Sequence, residues 1–127
     1  LVASEMCKET VIDSRNILRP ETVESLFIAF QLTGDPLYRE WGWKIFEAFR
    51  RWCQVDGGRG GYAGIEDIDD TEPVQIDRME TFWLSETLKY LYLLFSPRNK
   101  LPFHEWVFNT EAHPLPVFTP TFATHIY

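Results

Sequence analysis

No stretch of this chain reaches the roughly 20 consecutive apolar residues that cross a bilayer. The nearest approach, Leu88 to Phe95, is interrupted by Lys89 and ends too soon. No membrane-spanning segment is expected. Basic charge is also scarce, with 12 Lys and Arg against 19 Asp and Glu and a net charge of −7. A phosphate-backbone partner requires a basic face, so nucleic acid is not an expected partner. Cysteine is limited to Cys7 and Cys53. Two residues allow one bridge or two buried thiols, which leaves the redox compartment open. The first residues have neither an initiating Met nor the basic-then-apolar order of a signal peptide, so Leu1 is expected to be a cut. What is present in quantity is apolar surface: 45% of the 127 residues are apolar and 16% are aromatic. That composition fits one domain-sized piece with a packed core and excludes a disordered tail.

Residues 1–18 show no clean period and read as a loop or the end of an element. Pro20 suits a first helical turn, because the N–H it lacks is one that a helix start leaves unpaired. Val23, Leu26, Phe27 and Phe30 then repeat at helical spacing up to Gly34, a candidate C-cap. The first helix is expected over 20–33. Asp35 and Pro36 restart a helix as cap and first residue, and Trp41, Ile45, Ala48, Phe49 and Trp52 extend it on one face. A connection this short makes the two helices neighbours in a helical hairpin.

Gly57, Gly58, Gly60 and Gly61 surround Arg59 and predict a tight turn, with a short β-hairpin near residues 55–65. A phosphate cradle does not fit, since no strand leads in and no Gly-Lys-Ser/Thr follows. Glu66, Asp67, Asp69, Asp70 and Glu72 form an acidic loop without the fixed glycine and terminal glutamate of an EF loop. It reads as a solvated loop. From Asp77 to Ser96 the apolar residues crowd more than one side of a predicted helix, which implies burial on most sides. Pro102, Pro114, Pro116 and Pro120 then dictate an extended closing segment, with a short strand at Trp106–Phe108 and a hairpin near 104–110.

Three polar constellations interrupt the apolar pattern: Arg19 with Glu21 and Glu24, Phe82 with Glu86, and Thr110 with Glu111 and His113. Each has a structural reading. Glu21 and Glu24 suit the positive end of a helix dipole. Glu86 could be a core carboxylate satisfied by Lys89 or Arg78, and Phe82 could be core. His113 has no second His or Cys at ligand spacing, so zinc is disfavoured. Thr110 and Glu111 offer oxygen, which suits calcium or magnesium if Glu21, Glu24 and Glu86 fold close to them.

The runs Leu18-Arg19-Pro20-Glu21-Thr22-Val23-Glu24-Ser25, Arg78 to Phe95 and Val107-Phe108-Asn109-Thr110-Glu111-Ala112-His113-Pro114 together closely resemble the C-terminal part of class I α-1,2-mannosidases, glycoside hydrolase family 47. The resemblance covers about residues 15–118, three long motifs in order. It implies an all-α fold, the C-terminal helical hairpins of an (α/α)7 barrel plugged by a β-hairpin, with residues 1–16 unplaced. It also implies calcium-dependent, inverting removal of terminal α-1,2-linked mannose from high-mannose N-glycans, in the secretory pathway (endoplasmic reticulum or Golgi) or as a secreted enzyme. Carried over by residue, Thr110 would bind calcium directly, and Glu21, Glu86, Glu111 and Glu24 would hold waters around it. Glu21 would be the general base, Phe82 would stack under the mannose, and Arg19, Glu24 and Glu86 would bind substrate.

The family's domain is several times longer than this chain, and its general acid lies upstream of these motifs. The remainder of the barrel is therefore an expected partner N-terminal to Leu1, and the isolated chain is expected to be inactive. Neither Cys7 nor Cys53 can be assigned to the family's disulfide. The competing function is a non-catalytic, mannosidase-like module that binds glycans or serves quality control. A helical scaffold that keeps only the core is the third reading.

Overall fold

A computed structural model of the chain describes residues 13–118. The expectations that concern Cys7 and Pro120 lie outside those residues. Helix α1 spans Glu21–Thr33 and ends where Gly34 turns left-handed at φ +75 with its N–H on the Phe30 carbonyl. Pro20 sits just before the helix, one residue earlier than a first-turn position. Helix α2, Leu37–Ala48, follows Pro36. The Asp35 carboxylate accepts the Leu37 N–H at 2.9 Å, so Asp35 performs the capping chemistry. The two helices pack as the predicted hairpin.

α2 continues into a π-helical turn, Phe49–Cys53. That wider turn corrects one expectation: it rotates Trp52 out to solvent and places Cys53 in the buried position instead. Three short antiparallel pairs follow. Strand β1 (Gln54–Val55) pairs with β2 (Gly61–Tyr62) around the glycine turn, and β3 (Gly64–Ile65) pairs with β4 (Gln75–Ile76). Strand β5 (Trp106–Phe108) pairs with β6 (Pro114–Pro116) in the closing hairpin. β4 accounts for the second correction. Gln75–Ile76 are held as a strand, the chain bends at Asp77, and the Arg78 carbonyl accepts the Gly64 N–H. The predicted helix from Asp77 therefore starts only at Phe82, with a π-helical turn at Trp83–Thr87 leading into α3, Leu88–Phe95.

The core has two parts. Val23, Leu26, Phe27 and Phe30 of α1 bury against Tyr90, Leu91, Leu93 and Leu94 of α3, with Ala112 from the closing segment. The Phe27 ring meets Phe103 and Phe108 edge-on at 5.6 and 5.7 Å, which docks the β5–β6 hairpin onto the helices. The second part gathers Leu18, Phe49, Cys53, Ile65 and Trp83. Arg39 of α2 donates to the Leu94 and Ser96 carbonyls at 2.7 and 2.6 Å, satisfying groups that the end of α3 leaves open. The prediction that this helix is buried on most sides does not hold within the chain. Leu84, Tyr92 and Phe95 face outward. Among the described residues no helix is long and apolar enough to cross a membrane.

Candidate active site

The chain bends sharply before α1. The Asn16 side-chain oxygen accepts the Leu18 N–H at 2.8 Å, and Leu18 takes φ +68 while fully buried. A residue with a Cβ holds that conformation only when its surroundings impose it. Here they do. Asn16 and Ile65 exchange backbone hydrogen bonds of 3.0 and 2.8 Å, and the buried Thr87 hydroxyl donates to the Leu18 carbonyl at 2.7 Å. Arg19 and Glu21 thus emerge from a fixed bend, tied through Thr87 to the π-helical turn that carries Glu86.

Glu21 and Glu24 occupy the first turn of α1, where the helix dipole favours them as the sequence suggested. Arg19 Nη1 lies 3.3 Å from Glu21 Oε1 with both side chains more than 60% exposed, a geometry that contributes little to stability. The same guanidinium stands 5.8 Å from the centre of the Phe82 ring. Phe82 is half-buried beneath it, which is not the core position considered from sequence. Glu24 accepts the phenol of core residue Tyr90 at 3.2 Å. Burial, then the adjacent Glu24 charge, pushes the Tyr90 hydroxyl well above its usual range.

Glu86 sits at the centre of the arrangement. Its carboxyl is raised above the ordinary value first by burial, then by the charges of Glu111, Glu21 and Glu24, with Lys89 opposing. Carboxylates from α1 and from the closing turn therefore act on a fourth carboxylate on the π-helical turn. The partners considered from sequence do not neutralise it by contact. Arg78 pairs with Glu80 at 2.7 Å, and the Lys89 ammonium donates to the Ala112 carbonyl at 2.9 Å.

The turn that carries Thr110 and Glu111 is built by Asn109. Its side-chain oxygen accepts the N–H groups of Glu111 and His113 at 3.0 and 2.9 Å, and its backbone N–H donates to the His113 carbonyl at 3.2 Å. Ala112 is buried at φ +58, and its carbonyl takes the Lys89 bond that joins this turn to the other carboxylates. Among the described residues the His113 ring has only the loose contacts of its own turn, 3.5 Å to Asn109 and 3.6 Å to Glu111. Among the described residues no three His, Cys, Asp or Glu side chains close into a direct ligand set. The remaining donors are oxygens around an under-compensated negative charge. That chemistry fits a hard divalent cation reached partly through water, and not zinc.

Asn16, Thr87, Tyr90 and Asn109 escaped the sequence reading, and Lys89 entered it only as a partner for Glu86. Only Asn109 left a local signal, as an Asn ahead of a polar turn. Thr87, Lys89 and Tyr90 act through partners distant in the chain.

Residues 3–117 match the model of the family described as Glycosyl hydrolase family 47. The chain belongs to glycosyl hydrolase family 47. Among its family 47 relatives, a mannosyl-oligosaccharide 1,2-alpha-mannosidase of Arabidopsis thaliana is 53% identical over 105 residues, which is 83% of this chain and 16% of the relative. The endoplasmic reticulum mannosyl-oligosaccharide 1,2-alpha-mannosidase of Homo sapiens is 53% identical over 110 residues, 85% of this chain and 16% of the relative. An alpha-1,2-mannosidase from Trichoderma reesei superposes with a TM-score of 0.77 at 35% identity, covering 85% of this chain and 23% of that one. The family 47 chain described here thus spans about 16% of the length of these two curated relatives.

Proposed function

We propose that this chain is the C-terminal part of a calcium-dependent α-1,2-mannosidase that removes terminal α-1,2-linked mannose from high-mannose N-glycans with inversion at the anomeric carbon. The observation that carries the reading is the convergence of Glu21, Glu24 and Glu111 on Glu86, beside Arg19 and Phe82. The substrate class comes from the relatives, which are named mannosyl-oligosaccharide 1,2-alpha-mannosidases, one of them of the endoplasmic reticulum. We extend both the substrate and a secretory-pathway location to this chain.

In this reading Glu21, exposed at the start of α1, takes the proton of the attacking water. Phe82 offers its ring to the apolar face of the mannose, and Arg19 above it donates to sugar hydroxyls. Thr110, through its hydroxyl and carbonyl, and Glu21, Glu24, Glu86 and Glu111, through water, would hold calcium. When bound, calcium supplies a grip on adjacent sugar hydroxyls that orients the ring. An inverting glycosidase also needs an acid across the sugar, roughly 6.5–9.5 Å from the base. The charges of Glu21, Glu24 and Glu111 all act on Glu86, and we assign the acid to a segment outside this chain, along with the remaining helices of an (α/α)7 barrel. The 127-residue chain alone is accordingly expected not to release mannose.

The test is Glu21→Gln in the full-length protein. Loss of the base should lower kcat on α-1,2-mannobiose by about 10²- to 10⁴-fold with little change in KM. Proton NMR of the first product from the unmodified protein should show β-mannose. Full turnover by the variant, or α-mannose as the first product, overturns the reading.

A further inference from the structure

The turn that carries Thr110 is shaped from within and placed from outside. Its shape comes from Asn109, whose side-chain oxygen accepts the Glu111 and His113 N–H groups and whose carbonyl accepts the Ala112 N–H at 3.0 Å. Those bonds close the turn without fixing where it stands. Its apolar anchor is Phe108, the last residue of β5, which packs against Phe27 and Tyr90. Beyond that ring Thr110 and Glu111 are exposed. Among the described residues, the one hydrogen bond from residues 109–113 to an element outside the closing segment is the 2.9 Å bond from Lys89 Nζ to the Ala112 carbonyl.

That bond falls where the turn is under most constraint. Ala112 is fully buried at φ +58, a conformation that a residue with a Cβ keeps only when its surroundings impose it. An ammonium donating to the Ala112 carbonyl is a charge-assisted bond, stronger than a neutral one. It therefore sets the position of a turn whose other bonds are internal.

Electrostatic compensation alone does not account for a lysine here. Burial and then the charges of Glu111, Glu21 and Glu24 raise the Glu86 carboxyl, and Lys89 opposes them, so its charge reaches the cluster. Yet among the described residues its ammonium closes no ion pair and is committed to a carbonyl. A positive charge beside a cation site repels the cation. Lys89 thus acts against calcium through its charge and for calcium through the bond it makes.

We propose that Lys89 is a positioning residue of the calcium site: by holding the Ala112 carbonyl it fixes where the turn presents the Thr110 hydroxyl and carbonyl, and this effect outweighs the repulsion from its charge. The inference rests on the calcium site proposed above. The experiment titrates calcium calorimetrically into chelator-stripped full-length protein, unmodified and carrying Lys89→Met, Lys89→Arg, Thr110→Ala or Lys89→Met with Thr110→Ala. Methionine removes charge and donor at similar length, and arginine keeps both. Lys89→Met should weaken calcium binding about 10- to 100-fold, the size of one lost hydrogen bond from a charged group. Lys89→Arg should recover most of that loss. The double variant should bind calcium as Thr110→Ala does, because both changes act on the same ligand atoms. Binding by Lys89→Met that equals or exceeds that of the unmodified protein is what charge alone predicts, and it overturns the proposal. So does a fully additive loss in the double variant, the mark of a residue that only stabilises the fold. If Lys89→Met does not fold, Lys89→Gln takes its place in the same comparison, since its uncharged amide ends one bond short of the lysine nitrogen. The two readings fail separately. Absence of calcium binding in the unmodified protein removes the site and the role of Lys89 with it, and binding that Lys89→Met leaves unaltered removes only the role of Lys89.

Discussion

Leu18 and Thr87 show how much of the site rests on single side chains. The left-handed, buried Leu18 aims Arg19 and Glu21, and the Thr87 hydroxyl satisfies its carbonyl from the residue next to Glu86. Thr87→Val removes the donor at constant shape and leaves that carbonyl buried without its partner. The full-length variant should lose about 1–3 kcal/mol of stability in denaturant unfolding, and Thr87→Ser should recover most of it. Nothing in the sequence marks Thr87, because its partner lies on a distant segment. Glu21 and Glu24 were legible because a helix start and a proline announce them locally. Cys53 sits in the second part of the core, where burial pushes its thiol up to about 11. A raised thiol is neutral at physiological pH, and thiolate reactivity should climb with pH toward 11. In a Cys7→Ser background, Cys53 should resist a thiol reagent at pH 8 until the protein is unfolded. Rapid labelling of the folded protein would contradict its placement.

At the scale of elements, the sequence located the helical hairpin, the glycine turn with its β1–β2 pair and strand β5, because capping residues and turn residues are local signals, while β6 at Pro114–Pro116 lies beyond the hairpin expected near 104–110. It misread the two places where the helical period changes. The π-helical turns at Phe49–Cys53 and Trp83–Thr87 shift the buried face by part of a turn, which an assumed 3.6-residue period cannot follow. The start of the last helix was misplaced because Met79 fits a helical stripe equally well, while the β3–β4 pair and the Gly64–Arg78 backbone hydrogen bond hold the chain out of a helix up to that point. Packing between α2 and α3 gives the test at this scale. Gly42 is buried in α2, and a Cβ on it would overlap Leu94 Cδ2, whose side chain is fully enclosed. Gly42→Ala gains helix propensity but overpacks this contact, at a cost of about 1–3 kcal/mol. A lower thermal midpoint for the full-length variant is expected, and a raised one would show that α3 yields without strain.

For the molecule as a whole, three segments far apart in sequence meet at Glu86: the start of α1, the π-helical turn before α3 and the closing turn built by Asn109. Their residue types were readable from sequence, and their convergence was not, because it depends on Thr87, Tyr90 and Lys89 bridging the segments. Between α2 and α3 lies an apolar groove of about 410 Å³ lined by Trp43, Phe46, Tyr92 and Phe95, consistent with a chain that spans 16% of its relatives' length. The central claim is that the convergent oxygens form a calcium site serving mannose release. It is tested most directly by calorimetric titration of calcium into chelator-stripped full-length protein, with α-1,2-mannobiose hydrolysis followed on the same samples. Calcium should bind and restore hydrolysis together, and Thr110→Ala should weaken binding more than Glu24→Ala, since threonine supplies direct ligand atoms and Glu24 a contact through water. Hydrolysis that survives stripping, or equal calcium affinities in the two variants, would contradict it.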